Sequence, residues 1–197
     1  MPKLGMGPVR RRQLVDATIT SIHEFGLADA TVTRIAKKAG VSPGIVHHYF
    51  TDKDELLFES MRLMLKNLRS QAVARLTKAH TPHERISAII DASFAPEQFS
   101  PKVTTAWLAL YASAPQSKNL TRILTLYHHR LRSNLIYNLK QISPSANHVQ
   151  LAEAISALID GLYLRGALNP SLYKTTSPKT IVSDFVQSAL TKGGQYV

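Results

Sequence analysis

The stretch of sequence that decides the fold runs from Thr31 to Phe50 and reads TVTRIAKKAGVSPGIVHHYF. Gly40 supplies the left-handed backbone conformation that ends a helix and makes a tight turn, which other residues adopt only with strain. Ser42 and Pro43 then favour a new helix, with Ser as the N-cap and Pro at the first helical position. The stretch therefore predicts a helix-turn-helix, with short helices at about residues 31–38 and 43–49.

The second helix of this motif has the composition expected of a DNA recognition helix. Val46 and Phe50 fall on one face, which we expect to be buried. On the outward side, Gly permits close backbone approach, Ile can pack on a thymine methyl group, and His can hydrogen-bond to base edges or phosphates. From the motif we predict that DNA is contacted by Thr33, Arg34, Ser42, Pro43, Gly44, Ile45, His47, His48 and Tyr49. The alternative is a short surface helix that binds nothing.

The charge of the chain points to a polyanionic partner. Lys and Arg number 24 against 13 Asp and Glu, for a formal net charge of +11 at pH 7. Lys3, Arg10, Arg11 and Arg12 precede any acidic residue, and we expect them to form a flexible basic arm that contacts phosphates or the minor groove, with Arg10 and Arg11 as DNA ligands. The alternative is a generally basic surface, because residues 54–197 also carry excess positive charge.

The rest of the chain also shows helical periodicity, so we predict an all-α protein of about nine helices. The first helix should run from about Arg10 to Phe25, bury Leu14, Ala17, Ile22 and Phe25, and stop at Gly26. A long helix should begin near Asp52, with Thr51 or Asp52 as its N-cap. Three further helices are predicted to end at about Phe94, at about Ala114 and at Ser143. Two more are predicted over 149–168 and 178–190. We place a DNA-binding head at 1–52 and a ligand-binding and dimerisation body at 53–197.

Composition argues against several other classes of protein. The chain has no Cys, and no apolar run reaches the roughly 18 residues of a membrane span. We therefore expect a cytoplasmic protein with no membrane association. We also expect no enzyme, metal or cofactor, because no metal-binding His pair, glycine-rich phosphate loop or nucleophile elbow is present.

From the first helix to Phe50 the chain resembles the head domain of the TetR family. The run YFTDKDELL, from Tyr49 to Leu57, matches that family's Tyr/His-Phe-x-x-Lys-x-x-Leu-Leu signature. The resemblance implies a repressor that binds a palindromic operator as a homodimer, with helices 149–168 and 178–190 forming the dimer interface. It also implies a phosphate contact for Lys53. His47 stands where the family usually has Tyr, so a DNA contact by His47 does not follow from the resemblance.

The body resembles the members of this family that repress choline-to-glycine-betaine genes. The segments that carry the likeness are AWLA at 106–109, RSNL at 132–135 and ALIDGLYLR at 157–165. The resemblance implies repression that choline or betaine aldehyde relieves.

A quaternary ammonium ion is held by aromatic faces and a carboxylate, because it has no hydrogen to donate. The candidate ligand-binding residues are Phe94, Glu97, Trp107, Tyr111, Tyr127, Asp160 and Tyr163. The same residues could simply be core residues, and the ligand could be another lipophilic cation. An architectural DNA-binding protein without an effector is a further alternative.

Overall fold

The computed structural model of the chain describes residues 6–144, 147–173 and 175–191. This part of the chain contains nine α-helices and no β-strand, which confirms the all-α prediction. The helices are α1 (Met6–Asp29), α2 (Val32–Lys38), α3 (Pro43–Tyr49), α4 (Lys53–Leu76), α5 (Pro82–Ser93), α6 (Pro101–Ser113), α7 (Lys118–Ile142), α8 (His148–Leu168) and α9 (Pro178–Thr191). Short 3-10 turns lie at Pro96–Phe99, Ala114–Gln116 and Pro170–Tyr173.

None of the described helices is long and apolar enough to span a membrane. The described residues also include no group of three or more His, Asp or Glu side chains that could hold a metal ion.

The first of two packing units comprises the described part of Met1–Lys66 together with Ser100–Ile123. In this unit α1 packs on α6 and on α2, and α2 packs on α3. Full burial of a large apolar side chain stabilises a fold by roughly 1.5–3 kcal/mol, which holds helices as short as α2 and α3 in place. The large, fully buried side chains of this unit are Leu14, Ile22, Ile35, Phe50, Leu56, Met61, Leu110 and Leu120.

The second packing unit comprises Asn67–Phe99 and the described part of Leu124–Val197. Its core is built by α5, α7, α8 and α9, and includes Ile86, Ile90, Leu135, Leu139, Ile155 and Val182. A capping box starts α5, because Thr81 Oγ1 accepts from the Glu84 amide at 3.2 Å and the Glu84 carboxylate accepts from the Thr81 amide at 3.1 Å. Leu76, the last residue of α4, packs against this core. Helix α4 therefore belongs to both units.

The packing units divide the chain at different points from the predicted head and body. The predicted boundary at residues 52 and 53 coincides with the start of α4, where Asp52 Oδ1 accepts from the Glu55 amide at 2.8 Å and confirms Asp52 as the N-cap. Packing places the boundary inside α4 and groups α6 with the N-terminal helices. The division by function into head and body stays a prediction.

Three expectations about the N-terminal region need correction. Helix α1 begins at Met6, so Arg10, Arg11 and Arg12 lie within a helix and form no flexible arm. Lys3 lies outside the described residues. The helix bends at Gly26, where φ is 75°, and continues to Asp29. The prediction of a buried Phe25 was wrong: the side chain is 43% exposed, directly before the kink at Gly26, where the helical path that the periodicity assumed is broken. The Arg34 guanidinium lies over its ring, 4.8 Å from the centroid.

The turn between α2 and α3 has the predicted geometry. Thr31 Oγ1 caps α2 by accepting from the Arg34 amide at 3.3 Å. Gly40 has a φ of 66°, and beyond it the Val41 amide donates back to the Ala36 carbonyl at 3.0 Å. These contacts satisfy the last carbonyl groups of α2 and turn the chain sharply into α3.

We predict that Gly40→Ala lowers the free energy of unfolding by about 1–2 kcal/mol, the cost of a left-handed conformation for a residue with a Cβ. No atom lies within 4 Å of that Cβ, so the cost comes from the backbone alone. Gly44→Ala is the matched control, because Gly44 is helical and its Cβ would meet only Ser42 Oγ at 3.8 Å. Urea denaturation should show the control to be neutral or stabilising. Equal effects of both substitutions would contradict the explanation.

Candidate functional sites

Helix α3 buries one face and exposes the other, as the sequence predicts. Val46 and Phe50 are 1% and 2% exposed. The outward residues Pro43, Gly44, Ile45, His47 and His48 are exposed, and Tyr49 is partly exposed. The aromatic ring of Tyr49 meets that of His48 edge to face at 5.1 Å. One surface of the helix therefore presents apolar, imidazole and phenol groups together, which suits the major groove of DNA.

Ser42 and Pro43 start α3, but Ser42 does not cap it as predicted. Pro43 occupies the first helical position, and Ser42 has the extended backbone of an N-cap residue. The Ser42 side chain makes no capping hydrogen bond. The amides at this end of α3 include no N–H from Pro43, so fewer donors need a partner there. The exposed hydroxyl of Ser42 is therefore available for a hydrogen bond outside α3.

Arg11, predicted to contact DNA, makes its contacts inside the first packing unit. Its Nη1 donates to the Tyr49 carbonyl at 2.7 Å, and its Nη2 donates to Glu55 Oε1 at 2.6 Å. Glu59 lies 3.7 Å from the same nitrogen. The guanidinium also lies over the ring of Phe50, 4.4 Å from its centroid. One side chain thus joins α1 to the end of α3 and the start of α4.

Glu55 extends this network to the loop that joins α3 to α4. Its Oε2 accepts from the Thr51 amide at 2.8 Å and from the Thr51 hydroxyl at 3.1 Å. These bonds from Thr51 and the charge-assisted bond from Arg11 lower the pKa of the Glu55 carboxyl group. Glu55 is therefore ionised at neutral pH and fixes both the loop and the arginine.

Lys53 and Arg34, also predicted to contact DNA, have partners inside the head. Lys53 Nζ donates to the Leu27 carbonyl at 2.7 Å and the Ala28 carbonyl at 3.4 Å, near the end of α1. Arg34 Nη1 donates to the Asp29 carbonyl at 3.0 Å. Positive groups are favourable at the C-terminal end of a helix, which explains these contacts. Phosphate binding by either residue stays a prediction.

Three further residues of the head lie on α1 and α2. Arg10 Nη1 donates to the side chain of Gln13 at 2.9 Å, and Thr33 is exposed on α2. Lys37 was not among the predicted DNA ligands; it is exposed on α2 and has no side-chain partner among the described residues. Its place one helical turn from Arg34 could have marked it as a phosphate-binding candidate.

The predicted ligand-binding residues are divided between the two packing units. Trp107 and Tyr111 lie on α6 in the first unit, and Phe94, Glu97, Tyr127, Asp160 and Tyr163 lie in the second. Trp107 is 4% exposed, and its ring stacks on that of Tyr111 with centroids 5.3 Å apart. The spacing of four residues on one helix face explains this pair.

Aromatic side chains form a continuous group in the second unit. The ring of Phe99 lies 6.3 Å from that of Phe94 and 5.1 Å from that of Tyr163. Tyr163 donates its hydroxyl to the Gln98 carbonyl at 2.8 Å, which holds α8 against the 3-10 turn at Pro96–Phe99. Glu97 lies exposed on that turn. This group offers aromatic faces to a cation.

The pair formed by His128 and Asp160 adds charge to the second unit. His128 Nε2 lies 3.4 Å from Asp160 Oδ2. The Asp160 carboxylate raises the pKa of His128, with a smaller contribution from Glu153, while partial burial opposes the rise. Burial raises the pKa of Tyr127, and Asp160 and Tyr163 add to this rise. Tyr127 is thus a neutral phenol close to a carboxylate, and Asp160 has a partner in His128 that is cationic when protonated.

Two models of protein families match the chain. The model for bacterial regulatory proteins of the tetR family matches residues 14–60. The model for the C-terminal domain of the BetI-type transcriptional repressor matches residues 82–191.

Comparison with individual proteins agrees with both models. The HTH-type transcriptional regulator BetI of Brucella suis is 44% identical over 186 residues, 94% of each chain. The crystal structure of a candidate transcriptional regulator from Pseudomonas aeruginosa PAO1 has a TM-score of 0.82, at 26% identity over 93% of this chain and 91% of that one. A regulator-like protein from Saccharomonospora viridis, solved in complex with choline, has a TM-score of 0.75, at 18% identity over 93% and 96% of the two chains.

We predict that Asp160→Asn lowers the pKa of His128 towards its ordinary value, because the substitution removes the carboxylate that favours the imidazolium. The stabilisation from this pair is therefore fully present below about pH 6.5, the ordinary pKa of His, and is lost as pH rises through the higher folded value. Titration of the imidazole signals by NMR measures the change. The neighbouring His129 is the internal control, and a His128 pKa that does not move would contradict the assignment.

Proposed function

This chain belongs to the TetR family of bacterial regulatory proteins and has a BetI-type repressor C-terminal domain, and from this premise we propose that it represses genes for the conversion of choline to glycine betaine. Choline or betaine aldehyde relieves the repression. The observation that carries the proposal is that similarity to BetI extends over 94% of both chains and includes the body as well as the head.

The exposed face of α3 supports a role in reading operator DNA. A helix of seven residues (Pro43–Tyr49) fits the major groove but reaches only a few base pairs. Two copies that read half-sites one helical turn apart, or a multiple of it, provide the specificity that one copy lacks. The excess of Lys and Arg adds affinity through phosphate contacts, which depend on salt.

The dimer interface that we propose lies on α8 and α9. The exposed positions of α8 include Val149, Leu164 and Leu168, which are 50%, 46% and 68% exposed. Ala157 and Gly161 are exposed between them, and a Cβ added at Gly161 would meet no atom within 4 Å. Large apolar groups around small residues form a surface that a second α8 can approach closely.

The aromatic group of the second unit supports a site for a quaternary ammonium ion. Phe94, Phe99 and Tyr163 provide adjacent aromatic faces, and Asp160 provides a negative charge. Cation–π contacts contribute about 0.5–2 kcal/mol each, depending on desolvation. A ligand cation at Asp160 would replace the interaction of this carboxylate with protonated His128. A protein of the same fold holds choline, so the fold can accommodate this cation.

Relief of repression requires that the ligand favour one arrangement of the recognition helices over another. We propose that α4 carries this effect, because its first turns bind Arg11 in the first unit and its last residue packs in the core of the second. A shift of α4 in each copy would change the spacing between the two recognition helices, and hence the fit to both half-sites.

The test begins with an operator that the wild-type protein selects from a pool of random duplexes. Choline should weaken binding to this duplex, as measured by fluorescence anisotropy. Tyr163→Leu should raise the choline concentration needed for release by up to roughly 30-fold, since about 2 kcal/mol of cation–π energy is lost. The control is Tyr137→Leu, at a Tyr of α7 that is 64% exposed.

The outcomes separate the parts of the proposal. If the operator is bound tightly and neither choline nor betaine aldehyde releases it, the proposed response to choline is contradicted and the regulator must sense another ligand. If choline acts equally on Tyr163→Leu and the wild type, its site does not include the aromatic group of the second unit.

A further inference from the structure

We propose that Arg11 is a positioning residue for the recognition helix and not a ligand of DNA phosphate. It fastens the C-terminal end of α3 to the first turns of α4. The inference rests on the DNA-binding role proposed above and assigns a specific part of that role to Arg11 and Glu55.

The first observation is the bond from Arg11 to the last residue of α3. The carbonyl of Tyr49 lies at the helix end, where carbonyl groups lack partners within the helix and carry partial negative charge. Arg11 Nη1 donates to this oxygen at 2.7 Å. The guanidinium also covers the ring of Phe50, the residue that follows α3. The end of the recognition helix is therefore held by contacts to its backbone and to its buried aromatic anchor.

The second observation is that the same guanidinium binds α4. Its Nη2 lies 2.6 Å from Glu55 and 3.7 Å from Glu59, two carboxylates one helical turn apart. Glu55 in turn accepts from the amide and the hydroxyl of Thr51, in the loop between the helices. A displacement of the start of α4 thus pulls on the end of α3 through two short charge-assisted contacts.

The partners of Arg11 argue against a phosphate at this position. Glu55 and Glu59 both face its guanidinium, and Glu59 is also paired with Arg62 at 3.0 Å, so the four groups carry no net charge when all are ionised. A phosphate that approached Arg11 would meet these carboxylates and would have to displace them. Both donors used by Arg11 have directed partners within the protein, whereas Arg12, its neighbour, pairs with Asp16 at 3.0 Å on an exposed surface.

The test compares affinity for the selected operator with affinity for an unrelated duplex of the same length. We expect Arg11→Gln and Glu55→Gln each to lower the ratio of the two affinities about tenfold, because a misplaced recognition helix loses base contacts while phosphate attraction remains. Arg11→Lys should not restore the ratio, since lysine cannot bind the carbonyl and the carboxylate with one rigid fork. Arg12→Gln, which removes the same charge one residue away, should leave the ratio unchanged.

A phosphate ligand gives a different pattern. Arg11→Gln would then weaken both duplexes equally, reduce the slope of log affinity against log salt by about 1, and be rescued by Lys. Glu55→Gln would strengthen binding by removing a negative charge. An unchanged ratio in both Arg11→Gln and Glu55→Gln overturns the proposal. A lowered ratio cannot come from partial unfolding, because a loss of active protein weakens the apparent binding of both duplexes alike.

Discussion

Helix α4 runs from the first packing unit into the second, and the ligand response that we propose depends on its continuity. Its 24 residues, Lys53–Leu76, span about 36 Å at 1.5 Å per residue. One end is fixed by Asp52 as N-cap and by Glu55, which binds Arg11 and Thr51. The other end is fixed by the burial of Leu76 against the core of the second unit. A hydrogen-bonded helix fixed at both ends transmits a displacement better than a flexible linker would.

Much of the head could be predicted because its signals are local. The positive φ of Gly40, the helix start at Pro43 and the burial of Val46 all follow from residues within one or two turns of each other. The contact of Phe25 with Arg34 could not be predicted in the same way, because it joins two helices across a bend. The contact between Arg11 and Glu55 joins residues 44 positions apart, and no local pattern predicts such a pair.

The candidate ligand residues show the same limit more strongly. Aromatic composition indicated Tyr127, Tyr163 and Trp107 together, but packing divides them between two units. The pairing of His128 with Asp160 places an imidazole, cationic when protonated, at a carboxylate that the sequence indicated as a ligand-binding group. A quaternary ammonium ion brings a fixed charge, whereas His128 gains and loses its charge with pH. Whether Asp160 can bind a ligand cation is therefore determined by helix packing and not by composition.

We propose that a ligand in the body changes the spacing of the two recognition helices through α4. The most direct measurement is the distance between spin labels in the dimer, with and without choline. The chain has no Cys, so Lys37→Cys on the exposed face of α2 provides one label per copy. We expect the distribution of distances between the two labels to shift when choline is added at a concentration that releases the operator. A singly labelled chain that gives no distance between copies, or a distribution that stays unchanged at that concentration, would contradict the proposed mechanism.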